Sequence, residues 1–130
     1  EAGTTQIKLL PLINDSKIIC VIKTVKGRSA DSRISFYTTK WIPITQSNLF
    51  PARTIDWFIK PDVDRSNQDF TNAIAMADIL PMSMTISDKD NSVSVVFNIA
   101  DYLNKEDYKR LQPFLTEQPK IFAWDKVSYK

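Results

Sequence analysis

Three runs of β-branched and aromatic residues, TQIKLLPL (5–12), KIICVIKTVK (17–26) and SRISFYTTKWIPI (32–44), are separated only by INDS and GRSADS. Such runs favour extended backbone, and Asn, Asp, Gly and Ser supply the reversals, so the first third of the chain predicts three antiparallel neighbours. In the third run Ile34, Phe36 and Thr38 fall on one side and Arg33, Ser35 and Tyr37 on the other. One face is therefore apolar and the other mixed.

The period changes at SNQDFTNAIAMADIL (66–80), where Phe70, Ala73, Ile74 and Ala77 recur at helical spacing. Ser66 or Asn67 can cap this helix, Asp69 suits its positive end, and Pro81 stops it. MSMTIS and SVSVVFNI then flank DKDN as a hairpin, with Met82, Met84 and Ile86 on one face and Val93, Val95 and Phe97 opposite to Ser94, Val96 and Asn98. A second helix at 104–112 is capped by Asn104, with acids first and Lys109 and Arg110 last. PKIFAWDKVSY (119–129) reads as a closing strand.

Strands dominate, and the helices do not alternate with them as in a doubly wound parallel sheet. The expected class is α+β, mostly β: an antiparallel sheet or small β-sandwich of six to seven strands with two short helices, 66–80 and 104–112. At 130 residues the chain makes one domain, assigned to 5–130 after a polar lead at 1–4, and it is large enough to bury roughly two thirds of its unfolded surface. No apolar run approaches the ~20 residues of a membrane-spanning helix. The start, EAGTTQ, is what would follow a removed signal peptide, a lipid-attachment leader or another domain.

Histidine is absent, which removes the commonest general base, metal ligand and pH switch. Cys20 is the only cysteine, so neither a Cys/His zinc cluster nor a disulfide within the chain can be built, and the thiol reads as a small buried hydrophobe. With two glycines, Gly3 and Gly27, there is no phosphate-cradling loop. Asp88 and Asp90 open what resembles a calcium loop, but Val93 stands where glycine is needed and Ile99 where a bidentate glutamate is needed. Asp62 and Asp64, with Asp56 nearby, could form a carboxylate site, although a loop before a helix attracts acids anyway. The triplet NDS at 14–16 matches a glycosylation acceptor at a turn that wants Asn and Asp for its own reasons. No cofactor, metal or enzymatic activity is expected.

Residues 38–64 have no clean period. Pro43, Pro51 and Pro61 remove backbone donors, so no central strand crosses the segment. Its aromatic residues either close the end of a sheet core or supply exposed anchors for a protein partner, a choice that solvent accessibility decides. Aromatic residues interleaved with cations are what protein interfaces favour, and the candidate partner-binding set is Lys40, Trp41, Phe50, Arg53, Trp57 and Phe58.

Charge is uneven. Residues 1–60 hold nine Lys/Arg against four Asp/Glu, and 61–130 hold eight against eleven. The cations are spread out rather than clustered, which favours a solvated face over a polyanion site. In composition the chain resembles small periplasmic or lipid-anchored accessory proteins of bacterial envelope machines. The expected function is thus a non-catalytic protein-binding or assembly module, extracytoplasmic, in an envelope or secretion machine. The alternative is a single-stranded nucleic-acid-binding domain stacking bases on Phe36, Tyr37 or Trp41 with Lys23, Lys26, Arg28 and Arg33 on phosphates. A carboxylate enzyme ranks third.

Overall fold

The computed structural model describes residues 3–45 and 48–130. Among these residues β1 (Gly3–Pro11), β2 (Lys17–Lys26) and β3 (Ala30–Thr38) form one antiparallel sheet in the order β1-β2-β3. A second antiparallel sheet has the order β4-β5-β6, from Met82–Ile86, Val93–Phe97 and Lys120–Phe122. Short helices α1 (Gln68–Ile74), α2 (Ile99–Tyr102) and α3 (Lys105–Leu111) and 3-10 turns at Ile55–Phe58 and Gln112–Phe114 fill the connections. The fold is α+β and mostly β, as the strand signals require. Its first strand begins at Gly3, inside the expected lead, while Glu1 and Ala2 lie outside the described residues.

The INDS reversal is made by Asp15 in the left-handed region, φ 65°, with the Leu12 amide bonded to the Ser16 carbonyl at 2.9 Å. Antiparallel register then aligns Leu10 with Ile18, and Cys20 with both Lys8 and Phe36. Leu10, Ile18, Cys20, Ile22 and Phe36 form the inner face of the first sheet and pack against Met82, Met84, Val93, Val95 and Phe122 of the second. Burial of a side chain of this size contributes about 1.5–3 kcal/mol. This shared core holds the two sheets together.

β4 lies against all three strands of the first sheet, and the free edge of β4 is bonded by their side chains. The Met82 amide donates to the Asp31 carboxylate at 3.1 Å and the Met84 amide to Ser32 Oγ at 2.9 Å. Gln6 does both jobs of a strand, donating to the Met84 carbonyl at 3.0 Å and accepting from the Ile86 amide at 3.1 Å. Ser32 is fully buried, and its hydroxyl is hydrogen-bonded to Thr24 Oγ1 at 2.6 Å. A buried sheet edge must have partners, and here polar side chains replace a neighbouring strand.

Several elements depart from the expectation, the first being β3, which ends at Thr38 rather than at residue 44. α1 ends at Ile74 rather than residue 80, although Asn67 caps it, accepting from the Asp69 and Phe70 amides at 2.7 and 3.3 Å. Residues beyond Ile74 tighten into turns, with the Met76 amide on Ala73 and the Ala77 amide on Ile74. Leu80, just before proline and therefore pushed away from helical backbone, gives its carbonyl to Arg53 at 2.8 Å. The closing segment is likewise a strand only at Lys120–Phe122. It then doubles back: the Asp125 carboxylate accepts from the Val127 and Ser128 amides at 2.9 and 2.8 Å, and Lys126 sits at φ 71°. Those amides, with Lys130, hold the Asp125 carboxyl down to about 2. α2 was hidden in sequence because Ile99, which is buried, continues the apolar pattern of β5.

Candidate functional site

Register also fixes the outer face of the first sheet. Ile7, Val21 and Ser35 align across its three strands, as do Leu9, Ile19 and Tyr37, and then Thr5, Lys23 and Arg33. Ile19 and Val21 on the central strand are buried, yet they belong to no part of the common core. Their flanking neighbours Ile7 and Leu9 remain 60% and 52% exposed. The face is therefore an apolar patch open to solvent. Lys17, Lys23, Arg33 and Lys40 lie exposed around it, and Asp31 is paired to Arg33 at 2.8 Å and Arg53 at 2.6 Å.

Trp41 extends this patch. After β3 the chain turns with the Trp41 amide bonded to the Thr38 carbonyl at 2.8 Å and the Thr38 amide to the Ile42 carbonyl at 2.9 Å. Thr38 Oγ1 also accepts from the Lys40 and Ile42 amides at 3.3 and 3.2 Å. Trp41 closes the turn at φ 64°, a position that glycine or asparagine ordinarily takes. A bulky residue is strained there by roughly 1–2 kcal/mol. Even so Trp41 is 55% exposed, and its ring lies 5.6 Å from the Tyr37 ring, on the open face.

The remaining candidates are not gathered around Trp41. Phe58 is core, 2% exposed and stacked on Phe97 at 5.2 Å, because Thr54 caps the 3-10 turn that swings it inward. Phe50 and Trp57 are half-buried in a cluster with Phe122 and Tyr129, the Phe50 ring 4.9 Å from Phe122 and 5.4 Å from Tyr129. Arg53 serves as a tie, donating to Asp31, to the Ser32 carbonyl and to the Leu80 carbonyl. Phe50, Arg53 and Trp57 do share one groove, of about 460 Å3, that runs beside the edge of β3 at Ile34 and Phe36. Lys40 is exposed beside Trp41.

Phe36 points into the core, so it offers no ring to a nucleobase, and Arg28 lies over the Tyr102 ring at 5.4 Å. Tyr37 and Trp41 do share their face with Lys23 and Arg33. The acids disperse into local roles: Asp56 pairs with Arg65 at 2.8 Å, and Asp64 accepts from the Ser66 amide and hydroxyl, which lowers its carboxyl. Burial pushes the Cys20 thiol up to about 12, and it raises the Tyr129 phenol, which donates to the Asn91 carbonyl at 2.7 Å. Ile7, Leu9, Ile19 and Val21 escaped the sequence reading. The uninterrupted IICVI run was the one available signal, since a strand with no alternation has two apolar faces to cover.

The chain belongs to the family described as protein of unknown function (DUF3256), which matches residues 1–129. It is similar to the structure of a domain of an uncharacterized protein from Porphyromonas gingivalis W83, with a TM-score of 0.86 and 28% identity over 97% of this chain. The match spans 64% of that chain, less than two thirds of its length. No curated protein matches the sequence.

Proposed function

We propose that this DUF3256 chain is a non-catalytic protein-binding or assembly module that offers the outer face of its first sheet to a protein partner, with Trp41 as anchor. The observation that carries this reading is the strained, exposed Trp41 at φ 64° on an apolar face. Strain of this kind persists where function needs it, and no packing gain explains an indole left more than half in water. Exposed tryptophan and tyrosine amid aliphatic side chains, with cations at the rim, is the composition of an interface centre. The setting proposed with it is extracytoplasmic, periplasmic or outer-membrane-anchored, as an accessory of an envelope or secretion machine. Composition and the bacterial source of the similar domain support that setting.

A photo-cross-linking residue placed at Leu9, compared with one at Thr85 on the outer face of the second sheet, tests the reading in the source cells. A discrete protein adduct from position 9, absent from 85 and lost when Ile7→Glu is added, is expected. Equal adducts from both positions, or none, would count against it. Lys23 and Arg33 beside Tyr37 leave single-stranded nucleic acid as the alternative, and oligonucleotide affinity falling steeply with salt would favour that instead.

A further inference from the structure

Alternation decides which main-chain groups of β1 face the outer edge of the first sheet. The Phe36 carbonyl accepts from Ile44 and the Thr38 amide donates to Ile42, so the even residues of β3 face away from β2. With Tyr37 opposite Ile19 and Leu10 opposite Ile18, the even residues of β1 then face β2 and the odd ones face outward. Two bonds at the end of β1 agree: the Pro11 carbonyl accepts from the Trp124 indole at 2.7 Å, and the Ile13 amide donates to the Lys126 carbonyl at 3.3 Å. Before them, the amides and carbonyls of Thr5, Ile7 and Leu9 have no backbone partner among the described residues. Residues 1 and 2 reach no more than about 8 Å from Gly3, whereas Ile7 and Leu9 lie about 13 and 20 Å along the strand. Residues 46 and 47 reach no more than about 11 Å from Ile44, which sits beyond β3, whereas a strand beside β1 lies about 19 Å from it across the sheet.

A long edge strand is ordinarily guarded against pairing by a bulge, a proline or an outward charge. β1 pairs with β2 without a bulge from Gly3 to Pro11, has no proline before Pro11, and its one lysine, Lys8, turns to Asp88 at 3.7 Å. We infer that β1 pairs with β1 of a second copy of this chain, antiparallel about a two-fold axis, to make one six-stranded sheet. Self-pairing fits the sequence in one register. With Ile7 opposite Ile7, Leu9 meets Thr5, the outward residues exchange bonds with one another, and Lys8 meets Gln6. Centring on Lys8 sets two lysines face to face and puts Thr5 against Pro11, which has no amide. Centring on Gln6 puts Leu9 against Gly3, which has no side chain to meet it. The Ile7 register gives cross-strand neighbours to the two apolar side chains that β1 leaves 60% and 52% exposed. It uses main-chain groups at an edge remote from Trp41, so it stands independently of the role proposed for that residue.

Sedimentation of the purified chain, with amide exchange followed by NMR, tests this. A dimer is expected, with exchange at Ile7 and Leu9 slowing as concentration rises while Gln6 and Lys8, which face β2, stay slow throughout. Ile7→Pro removes an outward donor and no bond to β2, and it should weaken the dimer roughly tenfold or more. Trp41→Gly should leave the dimer intact. Because proline can also disturb the strand, introduced cysteines give a second reading. Ile7→Cys should close an interchain disulfide under mild oxidation, its Cα about 5.5 Å from its twin. Leu9→Cys should not, since its twin lies about 13 Å away in this register. A chain that stays monomeric at NMR concentrations, or a dimer in which Ile7 and Leu9 still exchange fast, would overturn the inference. So would a disulfide that forms from position 9 as readily as from position 7.

Discussion

On the outer face of the second sheet β4 and β5 present Ser83, Thr85 and Ser94, with Val96 and Ile121 as the apolar positions. On that of the first sheet, adjoining registers present Ile7, Leu9, Ile19, Val21 and Tyr37. Both sheets give their inner faces to one core, so the difference is not a matter of stability. Small hydroxyl residues suit a face that meets only water, whereas the first sheet leaves aliphatic area that burial would stabilise by about 25 cal/mol per Å2. The proposed partner would cover that face. On the proposed reading the first sheet's two faces do different work, the inner one holding the fold and the outer one a partner.

The largest effect should come from exchanging substitutions between those two faces. Ile22, fully buried on the inner face, should lose about 2–5 kcal/mol as Ile22→Ala. Ile7→Lys on the outer face should shift stability by no more than about 0.5 kcal/mol, measured by urea unfolding. If Ile7→Lys were as damaging as Ile22→Ala, the outer face would be structural and the contrast would fail.

Next in size is the polar seam that joins the sheets. Ser32→Ala leaves the buried Met84 amide without its acceptor and Thr24 without its partner. A loss of about 1–3 kcal/mol is expected. Thr85→Ala, on the exposed face of the same strand, should change little in the same assay.

A smaller effect marks Cys20, on the inner face, by pH. Its thiol is raised by burial from 9.0 to about 12, so the folded chain keeps it protonated while the unfolded chain ionises it above 9. Stability should be level below pH 9 and fall between 9 and 12, by roughly 1 kcal/mol at pH 10. Cys20→Ala should remove this part of the decline, leaving that of the buried Tyr129 phenol, which shifts in the same direction. Denaturation midpoints across this range check it, and an unchanged slope in Cys20→Ala would contradict the burial.

Much of this fold could be read from the sequence because alternation and caps are local signals. The span of β2, the alternation of β4 and β5, and the caps at Asn67 and Asn104 follow from neighbours a few residues apart. α1 was read too long because Ala77 keeps the helical spacing after Ile74, whereas the chain there tightens into turns, and Leu80 beyond them is held by Arg53, distant in sequence. Residues 38–64 resisted for a related reason. Trp57 and Phe58 lie in a single 3-10 turn, whose geometry matches neither a helical nor a strand period. Of the candidate partner-binding residues, Trp41 and Phe58 carry similar apolar bulk yet end on opposite sides of the sheet. That outcome depends on a left-handed turn at a residue type that rarely adopts one, and no propensity would have announced it.

The proposed role of the outer face is tested most directly at Trp41, with Trp41→Gly measured for stability and for the adduct formed from position 9. Glycine relieves the left-handed strain, so unfolding stability should equal or exceed the parent's and should exceed that of Trp41→Ala by about 1 kcal/mol, while the adduct is lost. A fall of about 3 kcal/mol in Trp41→Gly, as for a core aromatic, or full retention of the adduct, would contradict a binding role for this face.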